Sequence, residues 1–321
     1  MNWVILIIFI ITALILLSIF ISNNNKSCDN YENKSDKYVI YKGSGGMCHM
    51  LFSIQGTMED CVKNRYNIII DTRKLKSFDG DFFKYFEIVN FPKDLTYSGK
   101  YDNTEGKMYK GKELKYYNDC SLKFVSGTQY TVVNKNKDKL FDISSSKFLK
   151  EIKEGNDVAM VTHNMKPFSR NNKNYIRVRK DITKKIINRL PKELKNKKYI
   201  GVHYRNTDIK TPKEQVMKKI LETSKKTGIK NVYFATDDFN AYENFKEELK
   251  EINFYRSCIP IKLENGKNNI HYGTEDKKKV VMDCLTDLYA LIKCDEFVGS
   301  NTSGMTNFIK IDRYRKESIF Y

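Results

Sequence analysis

The feature that most constrains this chain is the rhythm of residues 198–310, where short β-branched and aromatic runs alternate with longer stretches of helical periodicity. Residues 199–204, 231–235 and 296–299 read as strands, and residues 213–226, 242–251 and about 278–293 as helices, with a further helix after residue 304. In the long helix Val281, Cys284, Leu285, Leu288 and Ile292 recur at the spacing of one buried face. Strands that alternate with helices pair in parallel through crossover connections, which covers both faces of the sheet. A similar unit opens the folded part, with a strand at 38–41, a glycine turn at 43–46, a helix from Met47 to about Lys63 and a second strand at 67–71. A chain of 321 residues is long enough for two such units. The expected architecture is therefore α/β, a pair of Rossmann-like lobes at 37–185 and 186–321. Residues 74–185 carry no catalytic signature, and the D-x-D at Asp79-Gly80-Asp81 reads as part of a loop.

Residues 3–22 hold no charge and are almost all apolar, the length that crosses a bilayer. No basic residue precedes them and no small-residue cleavage site follows, so an uncleaved single-pass anchor is expected, with a polar linker at 23–36. Lys26, Lys34 and Lys37 after the span favour a cytoplasmic body, whereas sequons at Asn25, Asn33 and Asn301 are compatible with a lumenal one, so the side stays open. The 57 basic against 39 acidic residues leave a net charge of +18, yet the lysines are scattered among Asn, Asp and Glu without a nucleic-acid-binding motif. That pattern reads as a solvated lysine-rich surface, with no nucleic-acid partner expected. The seven cysteines form no CxxC and have no His at zinc spacing, so no metal is expected.

Three polar clusters follow three strands of the second lobe: His203 to Asp208, then Thr236-Asp237-Asp238, then Ser300 to Gly304. Ligands of open parallel sheets bind outside the carboxyl ends of the strands, so the three clusters are expected to meet in one crevice. Arg205 offers a planar cation to phosphate oxygens, although a surface arginine in an ion pair reads the same way. Thr302, Ser303 and Gly304 precede a helix whose first N–H groups can hold an anion, and they also fit an ordinary helix cap. Asp237 and Asp238 suit a base or ribose, or simply the start of the next helix. Asp283 suits sugar hydroxyls or an exposed helix face. Gly45 and Gly46 permit close approach of backbone to a ligand, as they would in any tight turn. His203 lies inside its strand, and Glu214 and His49 are the candidate bases.

The strings GVHYRNTD (201–208), VYFATDD (232–238) and VVMDCLTDLYALIKCDEFVGSNTSGMTNF (280–308) resemble, in this order and spacing, the three motifs of the fucosyltransferase superfamily that holds the α-1,6, α-1,2 and protein O-fucosyltransferases. The resemblance covers residues 198–310, and the glycine turn at 45–46 looks like that family's first-lobe turn. It implies a GT-B fold and an inverting transfer of fucose from GDP-fucose to a glycan acceptor without a metal ion. The first lobe would take the acceptor and the second the donor. Arg205 would bind the β-phosphate in a pocket shaped by His203, with Asp208 among the donor-binding residues. Asp237 and Asp238 would lie at the guanosine end, Asp283 would contact the donor, and Ser303 and its neighbours would face the pyrophosphate. The α-1,6 enzymes usually carry a second arginine and a lysine where this chain has Asn206 and Ile209, which leaves the linkage open. Another nucleotide-sugar donor, or a relative that binds without turnover, fits the same motifs.

Overall fold

The computed structural model describes residues 38–41, 46–72, 75, 78–95, 97–98, 173–206, 210–260, 276–300, 303–315 and 317–320, together with the strand backbones at 108–109, 112–113, 129–133, 140–143 and 158–163. The expected anchor at 3–22 and linker at 23–36 lie outside the described residues. Among the described residues no helix is long and apolar enough to cross a membrane.

Strand β1 (Tyr38–Tyr41) leads to helix α1 (Met47–Asn64) and then to β2 (Asn67–Ile70), which pairs parallel to β1 with Val39 beside Ile68. Helix α1 starts at an extended Gly46, whose carbonyl accepts the Met50 N–H at 3.0 Å. It stops where Arg65 turns left-handed (φ 61°) and lets the Tyr66 N–H reach back to Cys61. Next come β3 (Phe86–Ile88), β4 (Tyr97–Ser98), a hairpin of β5 (Met108–Tyr109) and β6 (Lys112–Glu113), β7 (Gln129–Val133), β8 (Leu140–Ile143) and β9 (Val158–His163). The first sheet runs β4-β2-β1-β9-β7-β8, parallel as far as β9 and antiparallel beyond it. Strand β10 (Ile176–Val178) pairs antiparallel with β3 and leads into helix α2 (Lys180–Arg189).

The second lobe follows the expected alternation: β11 (Ile200–Tyr204), α3 (Lys213–Thr227), β12 (Asn231–Thr236), α4 (Ala241–Glu248), β13 (Asn253–Tyr255), α5 (Lys277–Lys293), β14 (Glu296–Gly299) and α6 (Gly304–Arg313). All four strands are parallel, in the order β13-β12-β11-β14. Helix α4 ends at Glu248 rather than at 251, because the N–H of Ile252 bonds Leu249 and that of Asn253 bonds Lys230, which turns the chain into β13.

Side chains leave β11 and β12 toward opposite faces in turn, and both faces are covered. On one face Ile200, Val202, Tyr204, Val232 and Phe234 pack on Val216 and Ile220 of α3 and Phe245 of α4. The Phe234 and Phe245 rings are 4.8 Å apart, and truncating a phenylalanine buried like Phe245 to alanine costs about 3–5 kcal/mol. On the other face Tyr233 and Ala235 join a larger core with α5, α6, α1 and α2. Gly201 makes the approach of α5 possible, since a Cβ there would lie 2.7 Å from the Cys294 sulfur.

The division expected between residues 185 and 186 falls inside α2, whose Ile182 and Ile186 belong to the shared core. The C-terminal residues cross back in the other direction. The carbonyl of Ile319 accepts the Val178 N–H at 2.7 Å, and Phe320 stacks edge-on to Tyr289.

Candidate active site

Because β11, β12 and β14 are parallel and adjacent, residues 205, 237 and 300 emerge side by side at their carboxyl ends. Asp237 ties two of these ends together. Its Oδ2 pairs with Arg205 Nε at 2.9 Å, and its Oδ1 accepts the Asn206 N–H at 2.9 Å. The carboxylate is buried, so the pair is shielded from solvent and the arginine is held in one place. Ser300 ties in the third end: its hydroxyl accepts the Arg205 N–H at 3.0 Å and donates to the His203 carbonyl at 3.2 Å. Arg205 is thus anchored through both its backbone and its side chain.

His203 lies beneath this corner. Burial, and then the charge of Arg205, push its imidazole down to about 3, so the ring is neutral, and Nδ1 shares a 2.9 Å hydrogen bond with Thr306 Oγ1. This bond docks the first turn of α6 on β11. Gly299 is needed for the same contact, since a Cβ there would meet Thr306 at 2.7 Å. His203 thus supports the Arg205 corner from below as a neutral, hydrogen-bonded ring. Thr306 was missed in the sequence, where its position three residues past Ser303 was the available signal.

Ser303 is buried and precedes α6 in extended conformation, yet its side chain makes no capping bond, and the first turn of α6 holds no acid. Of the two sequence readings, an ordinary side-chain cap is thereby set aside for Ser303. A Cβ on Gly304 would lie 2.9 Å from Nε2 of His49, which stands in the first turn of α1. The first lobe thus touches the second at this turn. Burial, and then Arg205, lower the pKa of His49.

Asp238 accepts from the Asn206 side chain at 2.7 Å and from the Asn240 N–H at 3.0 Å, so it orders the turn before α4. Asn206, the departure from the α-1,6 pattern, is spent inside this network. Two expected site residues stand apart from it. Asp283 on α5 is paired with Arg189 of α2 and, at 2.5 Å, with Lys279. Glu214 is exposed at the start of α3, against the opposite face of the sheet. Gly46 caps α1, while Gly45, Asp208 and Thr302 lie outside the described residues. Among the described residues no three His, Cys, Asp or Glu side chains are grouped to hold a metal ion.

One turn beyond Asp283, Asp287 accepts a 2.7 Å hydrogen bond from the Tyr233 hydroxyl. Burial raises its carboxyl to about 7, against the pull of Tyr233, Cys258 and Arg189.

No family model matches the sequence, and no curated protein matches it. Solved structures do. POFUT1 in complex with GDP superposes with a TM-score of 0.53 at 14% identity, covering 90% of this chain and 98% of its own. A NodZ α-1,6-fucosyltransferase co-crystallised with GDP gives 0.51 at 16% identity over 85% of this chain and 91% of its own. The fucosyltransferase NodZ from Bradyrhizobium gives 0.52 at 16% identity, with 85% and 92% coverage. The chain has the fold of these proteins.

Proposed function

We propose that this chain is a glycosyltransferase of GT-B architecture that transfers fucose from GDP-fucose to a glycan hydroxyl, with inversion and without a metal ion. The observation that carries the reading is Arg205, fixed at the carboxyl end of β11 by a buried aspartate and a buried serine, beside the first turn of α6. When the bond between the sugar C1 and the β-phosphate oxygen breaks, negative charge grows on the phosphate. A fixed cation and oriented N–H groups stabilise that charge more than the ground state, which lowers the barrier. Attack by the acceptor hydroxyl from the opposite face inverts the anomeric centre, and the hydroxyl proton leaves in the same step or just after it.

The ligands bound in the structural neighbours, GDP and GDP-fucose, support a guanine nucleotide as donor. The GVHYRNTD, VYFATDD and SNTSG segments support it independently, and they supply the Arg205, Asp237 and Ser300 ends that meet in the fold. Asn206 holds the place of the second arginine of the α-1,6 enzymes and is bound to Asp238, and the linkage stays open. The apolar run at 3–22 supports attachment to a membrane.

Calorimetric titration of the full chain in detergent with GDP, GDP-fucose and UDP, in EDTA, tests the reading. Guanine-selective binding that persists in EDTA, with fucose transfer to a glycan array, is the expected outcome. Equal binding of UDP would overturn the donor assignment, and binding without transfer would leave a carbohydrate- or nucleotide-binding relative.

A further inference from the structure

We propose that Cys48 of the first lobe and Cys284 of the second are a disulfide site, and that oxidising this pair fastens the two lobes together beside the active site. The inference stands apart from the donor reading, because it concerns where helices of the two lobes meet and not what binds between them.

Helix α1 carries Cys48 in its first turn and Phe52 one turn later, so the two side chains share a face. That face meets the second lobe. Phe52 stacks edge-on to Phe308 of α6 with ring centres 5.2 Å apart, and His49, next to Cys48, touches Gly304 at the start of α6. Helix α5 brings Cys284 to the same seam, and the two thiols are hydrogen-bonded to each other. Cys48 is buried in the shared core, and Cys284 packs against that core half-buried.

The other described cysteines are placed elsewhere. Cys258 gives its thiol hydrogen to the Asp283 carbonyl at 3.4 Å and lies against Asp287. Cys61 is on the same helix as Cys48, about 20 Å away by helix rise. Cys294 follows the last residue of α5, about 15 Å from Cys284 by the same measure, with its thiol on the Leu291 carbonyl at 3.0 Å. A disulfide requires Cα atoms within about 7 Å and Cβ vectors that converge. Two thiols already in contact across a seam meet that requirement with a small rotation of their side chains.

Both thiols are free in the structure. Their oxidant is a small disulfide of the glutathione class. The half-buried Cys284 sulfur attacks one glutathione sulfur, the S–S bond of the oxidant breaks, and one glutathione leaves with the thiol proton. Cys48 then attacks the Cys284 sulfur, and the second glutathione leaves with the second proton. Two protein thiols are thereby oxidised, and one glutathione disulfide is reduced to two thiols. The contact with Cys48, and then burial, raise the Cys284 thiol, so little thiolate exists near neutral pH and the exchange is expected over hours rather than seconds. An oxidising lumenal side would close the pair and a reducing cytoplasmic side would keep it open. The bond would close a loop that spans most of the chain, which restricts the unfolded state strongly.

In the test the full chain in detergent is incubated with glutathione disulfide or with reduced glutathione, alkylated, and digested without reduction. A Cys48–Cys284 linked peptide should be the main disulfide of the oxidised sample and absent from the reduced one. The oxidised chain should melt several degrees above the reduced chain, and Cys284→Ser should melt alike under both treatments. Absence of the linked peptide, or either cysteine joined chiefly to another partner such as Cys258, would overturn the inference. A mapped bond that leaves the melting temperature unchanged would overturn the fastening of the lobes. The mapping uses the unmodified chain, so it decides the pairing even where the serine variant fails to fold.

Discussion

Two arginine–aspartate pairs in this molecule are alike in chemistry and differ in setting. Arg205 and Asp237 sit at adjacent strand ends, with the aspartate shared by the Asn206 backbone and the arginine N–H fixed by Ser300. Arg189 and Asp283 join two helices, α2 and α5, with Lys279 as a second cation on the same carboxylate. The first pair lies at the carboxyl ends of adjacent parallel strands, where the ligands of such sheets bind, and is held by backbone and buried side-chain groups. The second lies along a helix seam and can be replaced by other packing. An ion pair at a strand end is prepared to meet a charge that comes and goes, whereas an ion pair between helices has already met its charge.

Replacing Arg205 by alanine separates the two pairs most sharply. Transfer should fall by at least about 100-fold, the loss typical of one preorganised donor to a developing oxyanion, and the melting temperature should fall as well, because the buried Asp237 carboxylate loses its cation, so rates are compared where the variant is fully folded. Near-normal transfer would take Arg205 out of the reaction. Asp237→Asn keeps the shape and an acceptor for Asn206 but weakens the hold on Arg205. A loss of about tenfold in transfer is expected, smaller than for the arginine itself because the cation remains. If Asp237→Asn were worse than Arg205→Ala, the aspartate would be touching the substrate directly.

The corresponding change in the second pair, Asp283→Asn, should leave GDP affinity within about twofold and lower stability by about 1 kcal/mol, since a partly exposed pair on a helix face contributes little. A loss of GDP binding of tenfold or more would return Asp283 to the donor site and erase the contrast.

The second lobe was legible in the sequence because its signals are local. Periodicity over four to seventeen residues marks β11, α3, β12, α5 and β14, and the three polar clusters follow their strands. In residues 74–185 the strands β3 to β6 are only two or three residues long and span too few periods to be seen, and β13, three residues long, was missed for the same reason. The site residues divide along the same line. Arg205 could be read from the end of its strand. What holds it could not, because the Asp237 contact depends on which strands are neighbours. Asp283 was drawn toward the site by its place in a motif-bearing helix. Its actual partner, Arg189, lies 94 residues earlier in a helix the sequence did not mark. The His49 to Gly304 contact is further still from anything periodicity reports, since it joins the first turns of helices in different lobes.

The last effect concerns the seam itself, and it shows only as a dependence on pH, with no change in transfer. Asp287 is half-buried beside Asp283 and Arg189, with its carboxyl raised from 3.8 to about 7 mainly by desolvation. A raised folded-state pKa means that the native state prefers the protonated acid. The stabilisation is complete below about pH 4, is lost as the pH rises toward 7, and changes no further above that. The whole span is on the order of 2–4 kcal/mol, reduced by whatever water reaches the site. Asp287→Asn keeps an acceptor for the Tyr233 hydroxyl and removes the titration. The variant should therefore match the parent near pH 4.5 and melt several degrees above it near pH 8. A gap that stays constant across that range would mean that Asp287 is ionised in the native state at every pH tested. Arg189 would then serve two carboxylates at once, and the seam would resemble the Arg205 corner more closely than its helix-to-helix setting suggests.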